Sequence, residues 1–215
     1  MIIKKIKDFT SLEFKEASNI YLSSFPPVET IPLEKIMKML QNDNYNLFIT
    51  KENDSVVGIF LLYIFHDLKM GLLGYMAVAP LYQRKGIGTK MFRYVLDELR
   101  RRLDNPVGLL LEIQKEDVDD PEERIKREDR IRFYARHGAK ILSNVNYLIP
   151  PQHGDNAQEM HLMIVPLARI DSLPKESIHK FIEAIHSRVY QYEKNDLLEK
   201  TMTTLPHTIK ISEIR

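Results

Sequence analysis

The order of elements in this sequence predicts a mixed α/β fold. Three observations carry that expectation. Strand-like runs crowd the middle of the chain. Two helical segments each connect one strand to another. Strands also follow strands directly, so the pattern is not the strict alternation of a doubly wound sheet.

The elements follow in chain order. "MIIKKIK" alternates apolar and basic residues, as a half-buried strand does. Leu12, Phe14, Ala17, Ile20, Tyr21 and Phe25 recur at near-helical spacing, and Ser11 is placed to cap that helix. "FPPVETIP", with three prolines, predicts irregular chain. Leu33, Ile36, Met37 and Leu40 restart the helical period. "YNLFITKENDSVVGIFLLYIF" reads as two strands about a "KENDS" turn. "LKMGLLGYMAVAP" is a further strand, ended by Pro80. From Gly86 to about Leu103 the apolar positions Ile87, Met91, Tyr94, Val95 and Leu99 predict one helix stripe. After the Asn105-Pro106 break, "VGLLLEI" reads as a strand buried on both faces. The charge-dense "KEDVDDPEERIKREDR" predicts a solvated loop running into an exposed helix face. That helix ends in "RIRFYARHGAK", with Gly138 as its C-terminal cap. "KILSNVNYLI" and "EMHLMIVPL" each read as a strand, around the polar loop "PPQHGDNAQ". Beyond about Leu167 the pattern changes. "PKESIHKFIEAIHSRVYQY" is an amphipathic helix, a shorter helix surrounds Asn195–Met202, and "HTIKISEI" offers a last strand.

Bulk properties exclude several classes. The 215 residues, 44% hydrophobic, suffice for one core with an appendage. A net charge of +1 gives no vote for nucleic acid or anionic membrane as partner. With no cysteine there is no disulfide frame, no Cys-based zinc site and no thiol nucleophile. "MIIKKIKDFT" lacks the long apolar core of a signal peptide, and no window approaches the ~20 apolar residues of a membrane span. A cytoplasmic protein is the expectation. His137, His153 and His161 lie on different elements without ligand spacing, so no metal is expected.

Between the strand ending at Pro80 and the helix from Gly86 lies "LYQRKGIGTKMF". A dinucleotide fingerprint would need a third glycine where Met91 stands. A P-loop would need a different order and spacing around Lys90. What remains is a strand, a short loop and a helix opening at glycines. That arrangement is either a tight turn or an anion site made of backbone N–H groups at a helix N-terminus.

The flanks add to this. "GYMAVAPLYQRKGIGTKMFRYVLDEL" resembles the acetyl-CoA-binding core of the GNAT family of N-acetyltransferases, through Val78, Pro80 and Gln83-x-x-Gly86-x-Gly88. "RFYARHGAK" resembles the later F-Y-x-x-x-G segment of the family, through Phe133, Tyr134 and Gly138. Ala139 departs from the pattern, where an aromatic residue is common. The resemblance covers roughly residues 1–167, a GNAT-like acyl-CoA N-acyltransferase domain. Residues 168–215 are then a mostly helical extension, packed on that domain or at a dimer interface.

The resemblance implies a set of roles. The N–H groups of Gln83, Arg84, Lys85, Gly86, Ile87, Gly88 and Thr89 would hold the pyrophosphate of coenzyme A. The backbone of Met76, Ala77 and Val78 would pair with the pantetheine amides. The thioester would lie where segment 74–79 splays from segment 108–113, with a backbone donor near Val78 for its oxygen. Tyr134 would protonate the leaving thiolate, or else merely pack. Glu112 interrupts an otherwise apolar strand, where a carboxylate is costly unless paired or facing a polar cleft. It is either the base that deprotonates the amine or a partner of a nearby Arg or Lys. In "SFPPVETIP", Phe25 and Glu29 would wall the acceptor site, or belong to a proline-stiffened loop. The implied activity is N-acetylation by direct attack. Acetyl-CoA is the co-substrate, no metal takes part, and a small-molecule or peptide amine is the acceptor. The alternative is an acyl-CoA-binding sensor or interaction module without turnover.

Overall fold

The computed structural model describes residues 1–151 and 156–212, with the backbone alone at Val28. His153 and the end of "HTIKISEI" lie outside the described residues. The chain forms two compact units, Met1–Asp104 and Asn105–Arg215.

The first unit is an antiparallel meander carrying helices. Strand β1 (Ile2–Lys5) pairs with β2 (Tyr45–Glu52), β2 with β3 (Ser55–Phe65), and β3 with β4 (Met70–Val78). The β2–β3 turn is tight because Asn53 accepts a left-handed φ of 54° and Glu52 faces Ser55 directly. Helix α1 (Leu12–Ser24) starts as expected, with the Ser11 hydroxyl accepting from the Phe14 N–H at 3.2 Å. It buries Phe14, Ala17, Ile20 and Tyr21. The short helix α2 (Leu33–Met39) buries Ile36 and Met39. Helix α3 (Ile87–Arg102) buries Ile87, Met91, Phe92, Val95 and Leu99. Phe92 is therefore a core residue that the predicted stripe omitted. Tyr94 is only half-buried, its ring lying against Phe48 and Phe60. The C-terminal end of α3 is fastened by the Arg102 guanidinium, which donates to the buried Asn46 amide oxygen at 2.8 Å.

The second unit is also built on antiparallel strands. Strand β5 (Gly108–Gln114) pairs with β8 (Gln158–Pro166), whose other edge takes β6 (Lys140–Leu142) and β7 (Tyr147–Ile149). β10 (Thr208–Ser212) pairs with β6, and β9 (Ser172–Pro174) with β10. The run "KILSNVNYLI" is thus two strands rather than the single one expected. Asn144, at φ 60°, breaks the extended backbone between them. Helix α4 (Pro121–Ala135) opens with Asp120 accepting from the Glu122 N–H at 2.9 Å and Pro121 in its first turn. It closes with Gly138 at φ 88° and the Ala139 N–H on the Tyr134 carbonyl.

Residues beyond Leu167 are built into this second unit by β10 as well as by helices. Helix α5 (Lys175–Ala184) buries Ile178, Phe181 and Ile182. A π-helical turn over Ile185–Val189 follows, then α6 (Asp196–Thr204), which buries Leu197, Leu198 and Thr201. The Thr201 hydroxyl donates to the Asn146 carbonyl at 3.1 Å, just before β7.

Candidate active site

The glycine loop begins where β4 ends. Ala79 leads into a 3₁₀ turn over Pro80–Tyr82, and Gly86, at φ 78°, caps α3. Arg84 also has a left-handed φ, 60°. Two such residues so close together fold the loop back, and its N–H groups gather at the start of the helix. The Lys90 N–H is the first to reach an intrahelical partner, Gly86 O. The N–H groups of Ile87, Gly88 and Thr89 are therefore the unpaired donors of a helix N-terminus. A Cβ placed on Gly86 would meet nothing within 4 Å, so the space above the loop is open. Arg84 and Lys85 are exposed there, Lys85 over the Tyr82 ring at 5.2 Å. Oriented donors, a helix dipole and two cations suit a pyrophosphate.

The structure is more selective than the sequence about this set. The Gln83 N–H is already spent on the Pro80 carbonyl, at 3.2 Å. The Gln83 side chain instead donates to the Val78 carbonyl at 2.9 Å, tying the loop to the end of the strand. In the β3–β4 ladder Ala77 faces Ile59, and the Ala79 N–H bonds the Val57 carbonyl. Antiparallel alternation therefore turns the backbone groups of Ala77 toward β3 and those of Met76 and Val78 the other way. Of the three residues expected to pair with pantetheine, Ala77 thus turns its backbone groups to β3, while those of Met76 and Val78 point away from it and the Val78 carbonyl takes the Gln83 side chain.

Phe25 and Glu29 sit on a pinned segment of the first unit. Tyr75 donates its hydroxyl to the Glu29 carbonyl at 2.7 Å, and its ring meets Phe25 edge-on at 5.0 Å. Tyr21 bonds both backbone groups of Ile31. Below lies an apolar cavity of ≈ 20 Å³, lined by residues including Phe14, Tyr21, Ile36 and Tyr75. That volume matches about one water-sized group.

Tyr134 and Glu112 belong to the second unit. Tyr134, on the last turn of α4, is 7% exposed. Burial pushes its phenol up to about 12, against a smaller opposing effect of Arg130. It therefore lies well above the ordinary range of a thiol. At neutral pH it keeps its proton. Arg130, one turn earlier on α4, reaches the side chain of Gln114 on β5 at 2.6 Å.

Among the described residues no Arg or Lys pairs with Glu112. One carboxylate oxygen accepts from the Tyr147 hydroxyl and the other from the Tyr190 hydroxyl, at 2.7 Å in the second case. Desolvation raises the Glu112 carboxyl above its ordinary range, and the two phenols oppose that rise without cancelling it. A carboxyl raised in this way is a stronger base than an ordinary glutamate.

Neither phenol was legible as a partner. Tyr147 was one aromatic in a predicted strand and Tyr190 one in a predicted helix, and they stand 35 and 78 residues from Glu112. His137 bonds the Phe133 carbonyl and His161 pairs with Glu116 at 2.8 Å. Among the described residues no three His, Cys, Asp or Glu side chains gather as metal ligands. No described helix is long and apolar enough to cross a membrane.

A mixed α/β fold with a strand, a loop of backbone donors and a helix N-terminus defines a protein that binds a phosphate-bearing ligand. The model of the acetyltransferase (GNAT) family matches residues 14–139, more than half of the chain, and the chain belongs to that family. It is an acetyl-CoA-dependent N-acetyltransferase. No curated protein matches it.

Solved structures share the fold. A chain from Bacteroides thetaiotaomicron described as a GNAT acetyltransferase is 20% identical, with 90% of this chain and 100% of that one covered, at a TM-score of 0.73. The ribosomal-protein-S18-alanine N-acetyltransferase of Escherichia coli is 22% identical over 79% of this chain and 95% of its own, at 0.55. A GNAT acetyltransferase from Elizabethkingia anophelis with acetyl-CoA bound is 18% identical over 77% and 97%, at 0.52.

Proposed function

We propose that the protein acetylates the primary amine of a small molecule or peptide by direct attack on acetyl-CoA, with residues 1–167 forming the transferase domain. The observation that carries this reading is Glu112. It is a carboxylate on an apolar strand, held by two phenols and raised in pKa, with no cationic partner to make it structural.

The residues divide the work. The N–H groups from Arg84 to Thr89, with the Arg84 and Lys85 side chains, hold the pyrophosphate of the co-substrate. Gln83 serves indirectly, fixing the loop to Val78. The backbone groups of Met76 and the Val78 N–H bond the pantetheine arm. Glu112 takes a proton from the acceptor ammonium, directly or through water, which frees the nitrogen lone pair. As the nitrogen–carbon bond forms and the carbon–sulfur bond breaks, Tyr134 donates a hydrogen bond to the departing sulfur. The thiolate then takes its proton from solvent. Without a cysteine there is no Cys-linked acetyl intermediate. Phe25 and the Glu29 carboxylate receive the acceptor, Glu29 favouring a cationic one.

A panel of amines incubated with acetyl-CoA, followed by free-thiol release, tests this. The expected result is acceptor-dependent release of coenzyme A. Tight binding of acetyl-CoA with no release for any amine would sink the enzyme reading in favour of a binding module.

A further inference from the structure

The polar cluster around Glu112 is assembled by the C-terminal segment. α5 does not continue as an α-helix. The Tyr190 N–H bonds the Ile185 carbonyl, five residues back, at 3.1 Å, and the His186 carbonyl goes to the Tyr192 N–H at 2.9 Å. Such π turns are rare and occur mostly at functional sites. This one presents two side chains toward the cluster. Tyr190 donates to one Glu112 oxygen. His186, 3% exposed, places Nε2 against the Leu148 carbonyl at 2.9 Å, and its ring lies 6.0 Å from that of Tyr147. Nε2 meets a carbonyl, so it carries a proton, and burial favours the neutral imidazole. Burial lowers its pKa and keeps it so.

This arrangement is poor as a packing device. A buried carboxyl with two phenols and an imidazole costs desolvation that apolar residues of the same volume would avoid. It is good as a mount. A carboxylate offers about four lone-pair sites, and two donors on different oxygens fix its plane while leaving two sites open.

We infer that the turn over Ile185–Val189 is a positioning element of the transfer centre: with Tyr147, Tyr190 sets the orientation of the Glu112 carboxylate, and His186 holds the strand that carries Tyr147. The inference rests on the reading of Glu112 as the base. The groups facing Glu112 are Tyr147 from β7 and Tyr190 at the end of the turn, and no charged group contributes to the shift of its carboxyl.

The test is Tyr190→Phe, which keeps the ring and removes one donor. Loss of a hydrogen bond to the ionised carboxylate must raise the Glu112 pKa further. The acid limb of kcat/KM is expected to move up by about half a pH unit or more, with kcat falling about fivefold below it and KM for acetyl-CoA unchanged. Glutamate labelled with carbon-13 at the side-chain carboxyl gives a readout without turnover. The Glu112 signal, assigned by its loss in Glu112→Gln, should titrate at higher pH in Tyr190→Phe. An unmoved titration overturns the inference whatever the kinetics. A moved titration beside an unmoved rate profile shows that Glu112 is mounted by Tyr190 but is not the base, which overturns the base reading and the inference with it. Tyr147→Phe removes the donor on the other oxygen and should shift both readouts the same way, should Tyr190→Phe not fold.

Discussion

Replacing Glu112 by Gln separates chemistry from architecture. The amide keeps the shape, and its oxygen still accepts from one phenol while its N–H can donate to the other. What disappears is the basic lone pair. General-base assistance is typically worth about 10²- to 10⁴-fold in rate, or about 2.7–5.5 kcal/mol of barrier at 1.36 kcal/mol per decade. Stability should change far less. One charge-assisted hydrogen bond is weakened, costing about 1 kcal/mol, but the cost of burying a charge is removed.

The sign of the pH effect is fixed by the raised pKa. A carboxyl raised in the fold favours the protonated form, so its contribution to stability is full below the unfolded value near 4.5 and is lost as pH rises through the folded one. The variant has no such loss, so its stability should gain on that of the wild type as pH rises. Coenzyme A release against pH, together with thermal unfolding at several pH values, reads both quantities. A folded Glu112→Gln protein with a wild-type rate would refute the base assignment. A rate that falls only in proportion to lost folded protein would make Glu112 structural.

Other expectations follow from the same geometry. Tyr134→Phe should lower kcat about tenfold, with little change in KM for acetyl-CoA. Since the phenol lies at about 12, the wild-type rate should show no loss below pH 10 from its ionisation, as a pH–rate profile would reveal. Gly86→Ala meets no atom, so its cost is the left-handed backbone alone, about 1–2 kcal/mol by chemical denaturation, with weaker acetyl-CoA binding by calorimetry. Tyr75→Phe removes the anchor on the Glu29 carbonyl and should raise KM for the amine more than it lowers kcat, measured by varying acceptor at saturating acetyl-CoA.

The sequence was informative where a signal is local. Ser11, Pro80, Gly86 and Gly138 each carry their backbone consequence in one or two residues, and the elements they bound were found. The continuous apolar run of "VGLLLEI" made Glu112 conspicuous because a carboxylate breaks an apolar strand. The signal failed where partners come from distant chain. Nothing near Tyr147 or Tyr190 announces a carboxylate 35 or 78 residues away. β9 ends on Pro174 and exists because β10 lies beside it. Asn144 is a single residue whose left-handed backbone splits a run that otherwise reads as one strand.

The π turn makes residue count, rather than residue identity, a variable of the centre. A helix advances about 100° per residue. The five-residue step from Ile185 to Tyr190 holds one residue more than an α turn would. Deleting Ser187 or Arg188 inside it would leave His186 and Tyr190 both present, yet the Tyr190 hydroxyl would face elsewhere. A scan of single substitutions would never sample that change. Relatives that share each side chain but differ by one residue in this turn would carry the same parts in a differently aimed instrument.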